Sequence, residues 1–138
     1  MQRSFGVRDL IALVILALIV TACGSSDSST GPGLTAADVA GTYDLVSITF
    51  PQSPPLGPPE ASGVLTLSLS NYKVDLQLPP PTGAVTDSGT YTVSGSQWTQ
   101  SSMVENVQST GTASLSHDTL YVTVTTAGQQ VANVWKRR

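Results

Sequence analysis

The chain has one histidine, His117, and it stands between Ser116 and Asp118. The three residue types of a nucleophilic triad therefore occur side by side. A working triad needs its members to converge from separate elements onto one reacting point, so three consecutive positions read as a hairpin turn instead. With one His and one Cys, no zinc set can be assembled. The carboxylates of Asp38, Asp44, Glu60, Asp75, Asp87, Glu105 and Asp118 are spaced singly. They form neither an obvious acid–base couple nor a calcium loop. No Gly-rich phosphate loop leads into a helix. These residues argue against an enzyme, and no metal or dissociable cofactor is expected. Only 11% of residues are charged and the net charge is -3. No basic face is available to neutralise phosphates, so nucleic acid is not an expected partner.

The chemistry that remains belongs to Cys23. Arg3 and Arg8 give a positive start, Leu10 to Val20 is an unbroken apolar run, and the small residues Thr21 and Ala22 close it. The run is shorter than the roughly 20 residues a spanning helix needs and fits the core of a secretory signal. Val20-Thr21-Ala22-Cys23 resembles the lipobox of bacterial lipoproteins. The resemblance implies a signal peptide over 1–22, cut before Cys23. The new N-terminal Cys would carry diacylglycerol on its sulfur and an acyl chain, such as palmitate, on its amine. More than one chain is needed for stable anchoring. The alternative is ordinary cleavage after Ala22, which leaves a free thiol. Residues 23–35 then read as the lipidated Cys and a flexible Gly/Ser linker, with a reach of roughly 20 Å. The implied location is the bacterial cell envelope, with membrane lipids as partners. Gly24 is not the Asp of inner-membrane retention, so the outer membrane is the expectation in a host that has one.

Behind this address, residues 36–138 must supply the elements that position any site. Eight stretches alternate with period two, which marks strands with one buried and one wet face: "GTYDLVSITF", "SGVLTLSLS", "YKVDLQL", "SGTYTVSG", "SQWTQSSMV", "TGTASLSH", "DTLYVTVTT" and "QQVANVWKRR". Turn signals fall at Ser70-Asn71, Ser94-Gly95, His117-Asp118 and Ala127-Gly128. "TAADVA" is the one helical turn, with Thr35 as its cap. Eight short strands with tight connections suggest an all-β fold, a small up-and-down antiparallel barrel or a sandwich, and a barrel leaves no open edge. The alternation turns Leu65, Leu67, Leu69, Val74, Leu76, Leu78, Tyr91, Val93, Leu120, Val122 and Val124 inward. The longer loops, "PQSPPLGPPEA", "PPPTGAVTD" and "ENVQS", crowd one end. Their prolines make either a semi-rigid rim or a guard against aggregation. Lys136, Arg137 and Arg138 reach the other end, as a lipid-facing cluster or a solubilising tail.

Gly41-Thr42-Tyr43 resembles the Gly-x-Trp that opens the first strand of lipocalins, with Tyr in place of Trp. In that family a basic residue near the last strand packs over the ring, which implies Lys136 or Arg137 here. The chain as a whole looks like the short bacterial lipocalin-like lipoproteins. The resemblance implies a small apolar ligand, with Trp98, Tyr91, Leu67, Leu76 and Val122 as its contacts. The alternative is a filled barrel that engages an envelope protein through its Pro-rich rim; a protease inhibitor with a rim loop as bait is a third reading. Intact-mass analysis of the mature protein is expected to give an N-terminal Cys23 with the added mass of diacylglycerol and an acyl chain. An unmodified Cys23 would overturn the lipoprotein reading.

Overall fold

The computed structural model describes residues 33–138; Cys23, the stretch read above as a signal peptide and most of the stretch read as a linker lie outside them. One helical turn, α1 (Ala36–Val39), precedes eight strands: β1 (Gly41–Thr49), β2 (Ser62–Leu67), β3 (Asn71–Gln77), β4 (Ala84–Ser94), β5 (Gln97–Ser102), β6 (Gln108–Ser116), β7 (Thr119–Thr126) and β8 (Gln129–Arg137). Each strand pairs antiparallel with the next, and β8 returns to β1, so the sheet is a closed up-and-down barrel. The alternation in the sequence is the cause. One side of each strand carries Val, Leu, Tyr or Trp into a common core, and the other carries Ser, Thr, Gln or charge to water.

Three departures from simple alternation have local reasons. In β1 the register slips between Leu45 and Ser47 against β8. The extra residue is a bulge: it leaves Val46 exposed and returns Ile48 to the core beside Tyr43 and Leu45. In β2 the Leu65, Leu67, Leu69 series stops short. Ser68 Oγ accepts the Asn71 N–H at 3.0 Å, and Ser68 N–H donates to Asn71 O at 2.9 Å. The turn therefore occupies 68–70, Asn71 already belongs to β3, and Leu69 is 68% exposed rather than inward. In β4 the strand begins at Ala84, so "AVTD" is paired with β3 instead of belonging to a rim loop.

The two ends of the barrel differ. At the lower end α1 lies across the opening. Asp38 accepts the Thr35 N–H at 2.8 Å and the Thr35 hydroxyl at 2.6 Å. These bonds hold the Asp38 carboxyl below its ordinary value. Val39 is fully buried, and Leu34 O accepts the Gly95 N–H of the β4–β5 turn at 3.0 Å. At the upper end the loop after β1 folds back: Ile48 and Leu56 exchange both backbone hydrogen bonds, at 2.7 and 2.8 Å. Pairing of β1 with β2 stops at Asp44↔Val64, and this bridge occupies the β1 edge beyond it.

Gly89 and Gly111 sit inside strands because neighbouring backbone comes too close for a side chain. A Cβ on Gly89 would collide with the Ser101 carbonyl oxygen, and one on Gly111 with that of Thr123. Gly111 also stands in register with Trp98. Replacing Gly111 by Ala is therefore expected to lower stability by about 1–3 kcal/mol, the cost of overpacking. Leu69→Ser should stay within about 0.5 kcal/mol. Urea midpoints of the two variants check this, and equal midpoints would contradict the assignment.

Candidate functional site

A cavity of ≈ 220 Å³ occupies the barrel interior. Its apolar wall comes from Ile48, Leu65, Val74, Leu76, Val85, Val122, Val124 and Val131, with Trp98 and Trp135 as the two largest surfaces. Several of these side chains stand on the halves of their strands toward the longer loops. Glu105, in the β5–β6 loop, reaches the same space. A larger recess of ≈ 580 Å³ lies at the rim between Phe50, Pro51, Gln52 and the β7–β8 turn. It is lined mainly by exposed Gln, Pro and Gly and gathers no charged group, so the interior cavity is the better candidate.

A polar belt crosses this interior. Tyr72 on β3 and Ser102 on β5 stand in register on either side of Gly89. Asp87 lies two residues from Gly89 on the same strand, hence on the same face. With no side chain at Gly89, both neighbours reach the carboxylate: Tyr72 Oη donates to Oδ2 at 2.6 Å and Ser102 Oγ donates to Oδ1 at 2.5 Å. The Ser88 N–H adds a third bond to Oδ1 at 2.8 Å. Ser102 Oγ in turn accepts the Glu105 N–H at 2.9 Å, which ties the rim loop to the belt. Burial, then the Asp87 carboxylate, pushes the Tyr72 phenol above its ordinary value, so it remains a donor throughout the neutral range. Gln100 and Asn133 place two amides on the cavity wall.

Trp98 is buried, and its Nε1 donates to Gln100 Oε1 at 2.9 Å. Its ring stacks on Tyr91, with centroids 4.8 Å apart and planes at 22°. Tyr91 Oη donates to Ser68 O at 2.5 Å, so the stack is pinned from below. Of the five contacts expected from sequence, Trp98, Leu76 and Val122 line the cavity. Tyr91 and Leu67 lie in the packed core and support that wall without forming it. Tyr72, Asp87, Ser102, Gln100, Asn133 and Glu105 were not legible as a set. They converge only through register across strands.

At the closed end Arg137, rather than Lys136, takes the place over the aromatic ring. Its guanidinium carbon lies 5.3 Å from the Tyr43 centroid. Gly41, two residues before Tyr43, has φ +151°, and a Cβ there would lie 3.4 Å from Arg137 Nε. Lys136 points outward, in register with Asp44. Arg138 is committed too: its Nη2 meets Asp44 Oδ1 at 2.7 Å. Of the three basic residues at the C-terminus, two are thus engaged with the barrel itself. Ser116 ends β6, and His117, at φ 55°, forms the β6–β7 turn with Asp118. They bring no third group to a reacting point. Among the described residues no three His, Cys, Asp or Glu side chains gather as a metal set.

The raised phenols give the barrel a pH limit. Burial raises Tyr91 as well as Tyr72. The fold favours the neutral form, so this stability is complete below the unfolded value of about 10. It is lost as pH rises toward and through the folded values. Urea midpoints are expected to hold from about pH 7 to 9 and to fall above about 10. Tyr72→Phe should show a shallower alkaline fall. An identical fall in the variant would contradict the assignment.

No family model and no curated protein matches the chain. Among solved structures, a redesigned β barrel is similar to it at 17% identity and TM-score 0.52, covering 80% of this chain and 99% of its own. A de novo designed fluorescence-activating β barrel is similar at 14% identity and TM-score 0.50, covering 75% and 96%. An uncharacterized protein from Bacteroides eggerthii aligns over 72% of this chain and 98% of its own, at 8% identity and TM-score 0.48. The two designed barrels are alike in fold alone: the chain is a closed eight-stranded up-and-down antiparallel β-barrel.

Proposed function

We propose that this protein is a lipid-anchored envelope lipoprotein whose barrel binds one small, largely apolar molecule and performs no catalysis. The observation that carries the binding reading is the ≈ 220 Å³ interior space between Trp98 and Trp135. An apolar cavity of roughly 150 Å³ accepts benzene, and drug-sized sites begin near about 300 Å³. The occupant is therefore a single-ring or short-chain molecule, not a long fatty acid. Its body would lie against the Val and Leu wall, and Gln100 and Asn133 would take its polar group. The anchoring half of the reading rests on the lipobox-like run ending at Cys23 and on the linker that follows it.

A second reading has its own support. Met103, Val104 and Val107 stand exposed together on the β5–β6 loop, with Met103 at 72%. An apolar rim of this kind suits a protein partner in the envelope. It lies on this loop, not on the Pro-rich ones.

Calorimetry of the full chain in nanodiscs with 2-phenylethanol tests the binding reading. One-to-one binding is expected for the wild type. Val122→Phe, which pushes a ring into the cavity, should lose about tenfold or more, the scale of 1.4 kcal/mol. No binding by the wild type would remove the pocket reading and leave the rim.

A further inference from the structure

The charges of the interior are one-sided. Two carboxylates, Asp87 and Glu105, line the cavity, and no Lys, Arg or His does. The described cations are placed elsewhere. Lys73 lies 3.1 Å from Asp75, with both side chains largely in water. Arg138 pairs with Asp44, and Arg137 lies against Tyr43 and the Asp38 carbonyl at the opposite end. Lys136 is exposed near that end, and His117 is in a turn there. Asp87 is held by three donors, the Tyr72 hydroxyl, the Ser102 hydroxyl and the Ser88 N–H, none of which carries charge. These bonds fix the direction of the carboxylate but leave its charge without a counter-ion among the described residues. Trp98 and Trp135 add two aromatic surfaces to the same cavity.

We infer that the occupant of this cavity is a small organic cation, a primary or secondary amine on a single ring or short apolar body. This rests on the pocket reading above and narrows it. The ammonium group would meet Asp87 inside and pass Glu105 at the mouth. Hydrogen bonds between charged groups are roughly twice as strong as neutral ones. An indole face within about 6 Å adds attraction for a cation. An anionic ligand of the same shape would face the like charge of Asp87 in a largely apolar enclosure, where repulsion is less screened than in water.

The test is an isosteric series on the full chain in phosphatidylcholine nanodiscs, with empty discs subtracted: phenethylamine, 2-phenylethanol and phenylacetate at pH 7. The amine is expected to bind about tenfold tighter than the alcohol, with the acid weakest, as one charge-assisted contact implies. Asp87→Asn should cut the amine's advantage over the alcohol to about threefold or less. Glu105→Gln, at an exposed position that cannot threaten the fold, should reduce that advantage by about twofold. If Asp87→Asn loses the near-UV signal of Trp98 and Trp135, the Glu105→Gln result decides. Equal binding of amine and alcohol, tightest binding of the acid, or an advantage untouched by Glu105→Gln in that case overturns the amine proposal while the pocket reading stands. Failure of all three compounds to bind removes the pocket reading itself.

Discussion

The structure depends on one contact, the meeting of the first strand with the last. An eight-stranded meander whose ends do not join has two open edges and an interior accessible to water from the side. Here Tyr43 and Arg137 stand opposite each other in the β1–β8 ladder. Tyr43 Oη donates to Val39 O at 2.7 Å and accepts from Arg137 Nη2 at 2.7 Å. The same Nη2 donates to Asp38 O at 2.5 Å. Three segments, α1, β1 and β8, are thus joined through one phenol and one guanidinium. A cation over an aromatic ring contributes about 0.5–1 kcal/mol at an exposed site. Its larger effect is geometric, because it fixes where the seam closes, while the hairpin turns set the registers of the other pairs.

With the seam fixed, the interior divides into two regions. Toward α1 it is solid: Val39, Tyr43 and Leu120 are fully buried, and the Tyr91–Trp98 stack lies on the shared wall. Toward the longer loops the side chains are Val and Leu, too short to meet across the centre. Gly89 separates Tyr72 from Ser102 and lets both turn to Asp87. The carboxylate can therefore sit in a largely apolar barrel, because each of its neighbours supplies a donor. The absence of a side chain at one strand position is what makes room for a charged group two residues away.

Much of the architecture was legible. Eight alternating runs separated by turn residues specify eight strands, and the Thr35 cap with its helical turn is visible in "TAADVA". Leu69 was misleading because alternation says which face a residue takes but not where pairing ends; the Ser68–Asn71 turn decides that. The start of β4 was hidden because "PPPTGAVTD" carries breakers, while Ala84 to Asp87 are held by pairing with β3. Whether Lys136 or Arg137 would cover Tyr43 needed the register. The polar belt was least legible of all. Its members are fifteen positions apart in chain for Tyr72 and Asp87 and again for Asp87 and Ser102. Register alone makes them neighbours, and single acids scattered along a sequence give no sign of it.

The way the chain enters the barrel has a mechanical consequence. Leu34 is bound to the β4–β5 turn, and Arg137 holds the α1 segment across the seam. A pull applied ahead of Gly33 would not reach β1 directly. The load would pass first into the Leu34–Gly95 bond and the buried Val39, on two sides of the barrel at once. The first strand is thereby shielded from being peeled away one hydrogen bond at a time. A barrel loaded from this side would yield at this clasp before its interior opened.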